Sequence, residues 1–419
     1  MNKNWVSKKT DYNYGFKIGI GFKDFYKWIL SPNFKSDDSK KLLLSLKEFY
    51  PQSWERLKGL TDALGIDMGN LYAYRLYLSK LMKGGCTAGF CAPPSTKDGN
   101  IYLFWNIDFF KAAQIIGKFF RFYLFDVPGY NCYLAFGIPG LVGVPIINEF
   151  GLTVVSASVG MKDGGGEGVM DAEILSLCME RSKDINEVID IYKNTKLASF
   201  PGVTGGSLLN LNSIWADRNG QGLIIEHSSH HLHLELAKDG ILAIANHHQF
   251  IRELTGSPTP DELPSIAGSY CRLGRMWHLL RENKGKIDLD LIKGFMADHK
   301  LEKEHVEDYN YIEPIDDGTI CVHYWHLKEY LRKGAFKRAI ETYLMGKTLG
   351  SIIIEPNFLT IHTCSGNPCN HQYKRACLEG ALLHKKFPRI VNEPINPLLT
   401  KLFKKMTVGL ATLLERFLS

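Results

Sequence analysis

Lys83-Gly84-Gly85-Cys86-Thr87-Ala88-Gly89 separates two stretches of sequence with different periodicity. Before it, apolar residues recur near the helical period: Leu42, Leu43, Leu44, Leu46 and Phe49, then Trp54, Leu57, Leu60 and Leu64, then a run from Leu71 to Met82. This spacing predicts helices over residues 1 to about 83, closed by Lys83-Gly84-Gly85 as a flexible signal. After Cys86 the pattern turns to short apolar or β-branched runs, Ile101 to Trp105, Asn131 to Ile138, Leu141 to Ile147 and Leu152 to Ser158, parted by Gly, Pro or Asn turns. Such runs predict a meander of strands.

Further along, helices are predicted at Met170 to Arg181 and at Ile185 to Lys193, the second capped by Asp184. Strands return at Ser207 to Trp215, Leu223 to His227, Leu232 to Leu236 and Ile241 to Ala245, around the turns Asp217-Arg218-Asn219-Gly220 and Lys238-Asp239-Gly240. Helices are predicted again at Tyr270 to Leu280 and Leu289 to Met296. A last strand pair, Ser351 to Glu355 and Leu359 to Thr363, flanks a Pro356-Asn357 turn. Antiparallel strand blocks alternating with helix pairs predict an α+β fold, two sheets stacked face to face with helices covering each. Residues 326 to 346, rich in Lys, Arg and Tyr, read as an inserted helix or excursion.

Composition narrows the function. With 45% hydrophobic and 22% charged residues in 419, the chain has material for a large core. The net charge of +6 is scattered among acids rather than gathered in a block, which argues against a nucleic-acid partner. The first residues lack the apolar core of a secretory signal, so a cytoplasmic location is expected. The uncharged stretch from Val127 to Asn148 holds Pro128, Pro139, Pro145 and four glycines, a poor membrane helix and a good strand pair. Nine dispersed cysteines with no C-x-x-C pair read as reduced and mostly buried thiols.

Cys86 is the exception. A thiol attacks well only when a base takes its proton, and an α-amine on the same residue serves when the cysteine is first in its chain. Gly84 and Gly85 would let the thiol reach the preceding carbonyl, although Gly-Gly-Cys reads equally well as an ordinary loop. Downstream context adds to this. Cys86-Thr87-Ala88, Asp98-Gly99-Asn100 and Phe104-Trp105-Asn106-Ile107-Asp108-Phe109-Phe110 resemble the start of the mature chain in the acyl-coenzyme A:6-aminopenicillanic acid acyltransferase family, and more distantly the choloylglycine and penicillin V hydrolases. Ile214-Trp215-Ala216-Asp217-Arg218-Asn219-Gly220 with Glu226, Ile244-Ala245-Asn246-His247-His248, Tyr270-Cys271-Arg272-Leu273-Gly274-Arg275 and Cys364-Ser365-Gly366-Asn367-Pro368-Cys369 resemble that family's later elements, in its order, over roughly residues 70 to 375.

The resemblance implies a four-layer αββα sandwich of the N-terminal-nucleophile hydrolase type, self-cleavage between Gly85 and Cys86, and turnover of a small-molecule acyl amide or acyl-CoA thioester without a cofactor or metal. On the same ground Cys86 would be the nucleophile, Asp108 would hold and tune the α-amine, Asn246 would donate to the oxyanion, and Arg272 would lie near the nucleophile. Arg275, one turn later, reads as that neighbour or as a structural ion pair. The bile-salt branch carries arginine three positions before the motif aspartate, where this chain has Trp105. The family's asparagine on the strand Val155-Ser156-Ala157-Ser158 is absent, so a second polar donor there, where needed, falls to Ser156 or Ser158.

Other readings stay open. His227, His230, His231, His233, His247 and His248 invite a zinc site, but no Asp or Cys sits beside them at ligand spacing in the sequence, and strand-surface histidines are the simpler reading. The chain could also be a scaffold that binds acyl compounds without processing. Three units are expected: a helical segment over 1–85, removed or retained after cleavage, a catalytic domain over 86–390, and an amphipathic helix over 391–419. In the last, Leu398, Leu402, Phe403, Met406, Leu410, Leu413, Leu414 and Phe417 are edged by Lys401, Lys404, Lys405 and Arg416, a pattern that lies on a membrane surface or packs on a protein body.

Overall fold

A computed structural model describes residues 8–21, 23, 26, 37–81, 84–109, 121–138, 140, 142–201, 209–304, 306–309, 315, 318–323, 327–335 and 347–383. The expected C-terminal helix over 391–419 and most of the 326–346 excursion lie outside these residues. Helices α1 (Lys8–Gly21), α2 (Asp37–Phe49), α3 (Pro51–Leu64) and α4 (Met68–Leu81) come first, as the apolar spacing predicts. Thirteen strands follow among the described residues. One antiparallel sheet has six, in the order β10 (Ile241–Ile244), β1 (Gly84–Cys91), β2 (Tyr102–Phe109), β11 (Lys347–Glu355), β12 (Thr360–Ser365), β13 (Lys374–Cys377). The other has seven, in chain order: β3 (Arg121–Phe125), β4 (Tyr133–Ile138), β5 (Val142–Asn148), β6 (Thr153–Ser158), β7 (Leu211–Ala216), β8 (Gly222–His227) and β9 (Leu232–Leu236).

Alternation along the strands builds the layers, because successive side chains point to opposite faces. Ala88 and Phe90, Leu103 and Trp105, Val155 and Ala157, Ile214 and Ala216, and Ile352 and Ile354 share one core between the sheets. Their neighbours face outward. On the six-stranded sheet, Tyr102, Phe104, Ala243 and Ile353 meet α7 (Ala267–Glu282) and α8 (Leu289–Met296) through Leu273, Met276, Ile292 and Phe295. On the seven-stranded sheet, Val154, Trp215, Leu223 and Ile225 meet α5 (Asp171–Arg181), α6 (Ile185–Lys193) and the N-terminal helices. The architecture is therefore helix, sheet, sheet, helix, the α+β arrangement expected from the sequence. Asp184 caps α6, accepting from the N–H groups of Asn186 and Glu187.

The sequence reading fails at the segment it treats as flexible. Gly84 and Gly85 are the first residues of β1, paired with Phe109 and Asp108 across from β2. Among the described residues no helix is long and apolar enough to cross a membrane.

Buried ion pairs tie the N-terminal helices to the sheet layers. Arg56 of α3 donates to Asp11 of α1 at 2.7 Å and to Glu180 of α5 at 2.9 Å, and the Tyr50 hydroxyl donates to Glu180 as well. Arg75 of α4 meets Glu173 of α5 at 2.9 Å. The Arg56 side chain is 11% exposed, Glu180 fully buried, and the guanidinium lies over the rings of Phe125 and Tyr130. Removing one partner from such a set leaves carboxylates buried without their cation. Arg56→Ala is expected to destabilise the fold by about 3–5 kcal/mol, read from the midpoint of chemical denaturation, with little effect if the set is solvent-screened.

Candidate active site

Cys86 sits in β1 with its side chain among the residues between the sheets, only 6% exposed. Its backbone N–H donates to Asn246 Oδ1 at 2.7 Å. Arg272 of α7 donates from Nη2 to the same oxygen, also at 2.7 Å. The amide nitrogen of Asn246 donates to the carbonyl of Ser158 at 2.9 Å and to its hydroxyl at 3.1 Å. The orientation of this amide follows from its partners: turning it over would set an NH₂ against two donors.

Each part of the amide is thus engaged. Both amide hydrogens go to Ser158 at the end of β6, whereas the sequence resemblance implies a donor role toward an oxyanion for Asn246. The oxygen is the group turned to Cys86. Ser158 meets the amide as an acceptor, and its own hydroxyl is directed to the Gly84 carbonyl at 3.5 Å. Ser156, two residues earlier, pairs with Ser213 in the strand register instead.

Asn246 follows β10, and three neighbours fix its backbone. Its N–H donates to Ser269 Oγ at 2.7 Å. Asn212 of β7 donates to the carbonyls on either side, those of Ala245 and His247, at 3.1 and 3.2 Å. Glu226 of β8 accepts from the N–H groups of Gln249, Phe250 and Ile251, anchoring the turn that follows. Burial pushes the Glu226 carboxyl up to about 7 despite those three donors. Neither Asn212 nor Ser269 forms a motif by spacing; they are legible only once the sheets are stacked.

Asp108, one residue before the end of β2, lies directly across from Gly85 and is 3% exposed. Thr348 of β11 donates to its Oδ1 at 2.6 Å. The backbone N–H of Val322 donates in turn to Thr348 Oγ1 at 2.9 Å. A Cβ on Gly85 would stand 3.2 Å from Arg272 Nη2 and 3.3 Å from Asp108 Oδ2. The glycine is needed here for close approach rather than for flexibility, because a side chain would press on both charged groups. The two arginines also separate. Arg272 belongs to the site, whereas Arg275 makes a two-point ion pair with Asp298 at 3.0 and 2.8 Å.

The histidines do not gather. His227 is held by Asp171, His230 by Asp163, His233 stacks on Phe250, His247 bonds Ser269 and stacks on Tyr270, and His248 bonds Thr255. Among the described residues they form no metal-binding group.

Burial pushes the Cys86 thiol up to about 12 in the intact chain; Trp105 and Arg272 pull it down and Asp108 pushes it further up, and burial wins. A buried thiol of that kind is a poor nucleophile until a base sits next to it. In the uncut chain, Cys86 is expected to alkylate at pH 8 about a thousandfold more slowly than an ordinary thiol of pKa near 8.5. The rate should climb with pH toward the raised value. Differential alkylation with peptide mapping, with exposed Cys377 as internal reference, measures this, and equal labelling of both at pH 8 would contradict the burial argument.

No family model matches the sequence, and no curated protein matches it. Among solved structures, the chain is similar to two variants of a conjugated bile acid hydrolase from Clostridium perfringens. One is 13% identical over 69% of this chain and 96% of that one, at a TM-score of 0.36. The other is 12% identical over 70% and 92%, at 0.39. A penicillin V acylase from Agrobacterium tumefaciens is 10% identical over 67% and 82%, at 0.32. At such scores the likeness fixes no residue-by-residue correspondence.

Proposed function

We propose that this chain is a self-processing cysteine amidohydrolase or acyltransferase, in which Cys86 cuts the bond that precedes it and then attacks an amide or thioester carbonyl. The observation that carries this reading is the seat of the Cys86 nitrogen. It donates to Asn246 Oδ1 at 2.7 Å with a buried arginine on the same oxygen and a buried aspartate one residue away across the sheet. Cys86 lies past the last β10 partner of β1, where a buried N–H needs an acceptor in any case; the added arginine and aspartate are what an ordinary strand N–H does not call for. An α-amine that must be held beside its own thiol does.

In the first step the thiol adds to the Gly85 carbonyl carbon. The Gly85–Cys86 C–N bond breaks, the nitrogen gains a proton, and Gly85 is left as a thioester on Cys86 Sγ. Water then hydrolyses this thioester to a Gly85 carboxylate, freeing thiol and amine together. The amine stays on Asn246 Oδ1, where in its neutral form it takes the thiol proton for each later attack. The raised thiol makes that internal base necessary. Asp108, fixed by Thr348, sets the amine's charge, and Arg272 keeps Asn246 oriented. Residues 1–85 are in this reading the processed segment and 86–390 the catalytic domain. The sequence resemblance supports a small-molecule acyl amide or acyl-CoA thioester as substrate, and Trp105 argues against the bile-salt class.

A second reading, an acyl-compound-binding protein that is never cut, is favoured by one observation: the pairing of β1 with β2 runs unbroken from Gly84 to Cys91 across the proposed cleavage point. An intact 47.4 kDa chain after long incubation, with no thiol-dependent hydrolysis, would select it.

Cys86→Ala is expected to abolish both fragment formation and turnover, checked by intact-mass spectrometry and a panel of acyl amides and thioesters; a cut or active alanine variant would reject Cys86. The role of Asn246 is tested by a pair of variants. Asn246→Ala strands two buried donors, which lowers stability by about 1–3 kcal/mol; where the acceptor also holds the nitrogen in the cleavage transition state, the loss of an interaction of that size slows cleavage by about five- to a hundredfold. Asn246→Asp keeps an acceptor for Cys86 and Arg272 but turns a carboxylate oxygen toward the Ser158 carbonyl, so it should be less stable than the unmodified chain yet retain more of the rate than Asn246→Ala. If Asn246→Asp folds with its stability retained and is still as slow as Asn246→Ala, the acceptor role fails.

A further inference from the structure

We propose that His299, Cys321, His323 and Cys369 bind one zinc ion in a closed, structural site. The four are scattered along the sequence and none belongs to the active site above. In the fold their ligand atoms all lie within 4.8 Å of one another. Cys321 Sγ and Cys369 Sγ are 3.7 Å apart, and His323 Nε2 lies 3.5 Å from the first and 3.2 Å from the second. The His299 and His323 rings are 5.0 Å apart at 71°, an edge-on arrangement.

These distances can be compared with a tetrahedron. Zinc bonds of about 2.3 Å to sulfur and about 2.0–2.1 Å to nitrogen give edges of about 3.8 Å between sulfurs and about 3.6 Å between sulfur and nitrogen. The three measured edges fall within a few tenths of an ångström of those values. A disulfide needs its sulfurs at about 2.05 Å, so the pair is open. Two thiolates and two imidazoles are a ligand set that zinc favours, and with both thiolates formed the centre carries no net charge.

The surroundings are those of a ligand shell. Asn367 donates to Cys321 Sγ at 3.4 Å and to the Val322 carbonyl at 2.7 Å, so one amide supports a sulfur ligand and the backbone beside it. Cys321 donates its N–H to the Asp298 carbonyl at 3.0 Å. Asp298 is itself clamped by Arg275, which gives that ion pair a purpose: it fixes the residue next to His299. Cys321 is buried and His299 exposed, so the site opens to solvent on one side for ion entry.

The site also has a place in the fold. It joins the chain just after α8, the segment 318–323, and the turn after β12. Segment 318–323 is what reaches the back of the catalytic strands: Asn106 donates to the Ile320 carbonyl at 2.9 Å, and Val322 holds the Thr348 that holds Asp108. With four protein ligands no position remains open for substrate, so the ion cross-links rather than reacts.

The test uses the full chain, purified under reducing conditions, loaded with Zn²⁺ and dialysed, with metal measured by elemental mass spectrometry. One zinc per chain is expected, falling to trace levels in Cys321→Ser and Cys369→Ser and unchanged in Cys377→Ser. Co²⁺ in place of zinc should give the intense visible absorption of a tetrahedral thiolate complex. Should the buried Cys321→Ser fail to fold, exposed His299→Ala must still lower zinc retention, and Asn367→Ala should weaken it by about 10–100-fold. No zinc after loading, equal zinc in His299→Ala and the unmodified chain, or a Cys321–Cys369 disulfide in the metal-free protein found by peptide mapping would each overturn the assignment.

Discussion

A single side-chain oxygen, Asn246 Oδ1, joins the layers at the site. It accepts from the β1 backbone at Cys86 and from Arg272 on α7, while the nitrogen of the same amide reaches β6 of the other sheet through Ser158. All of these groups are at most 6% exposed, where an unmet donor is costly and a met one is strong. Satisfying them together requires sheet spacing, helix position and strand register to be right at once. The polar network therefore specifies the relative placement of elements that apolar packing alone would let slide.

Behind that centre stands a second series of bonds, from Asp108 through Thr348 to Val322 and from Asn106 to Met296 and Ile320. It fixes the outer face of β2 as the amide fixes its neighbour β1. The inner faces of the same strands are apolar, with Trp105 and Ile107 in the core between the sheets. The outer face of β2 is apolar at Tyr102 and Phe104 and polar at Asn106 and Asp108, and period-two alternation is how Asp108 comes to lie opposite Gly85 while its neighbour Ile107 packs inward.

Much of the fold was legible because its strands and helices are strongly patterned. Leu152 to Ser158, Leu223 to His227 and Ile185 to Lys193 form the elements that their periodicity predicts. What escaped has physical reasons. Gly84 and Gly85 carry no side chain to show alternation, so strand pairing with β2 overrode their low propensity. Arg121 to Phe125 is a short strand, and Lys374 to Cys377 is a short edge strand exposed along its length, with no apolar face to read. At the site, Cys86, Asp108, Asn246 and Arg272 are brought together, but the atom that Asn246 offers to Cys86 could not be read, because it depends on Ser158 and Arg272 arriving from distant segments. The same limit hid the group of His299, Cys321, His323 and Cys369: their sequence spacing matches no compact ligand pattern, and only tertiary contact gathers them.

The packing of the N-terminal helices bears on what one broken peptide bond would mean. Leu42, Leu46, Leu57, Leu60 and Leu71 share a core with Val154, Ile174 and Trp215, and Arg56 and Arg75 reach carboxylates on α5. None of these contacts runs through the Gly85–Cys86 linkage. Hydrolysis there would leave an obligate two-subunit complex with an interface that resembles a divided domain core. Its thermal unfolding would then obey mass action, rising with protein concentration where an intact chain's does not.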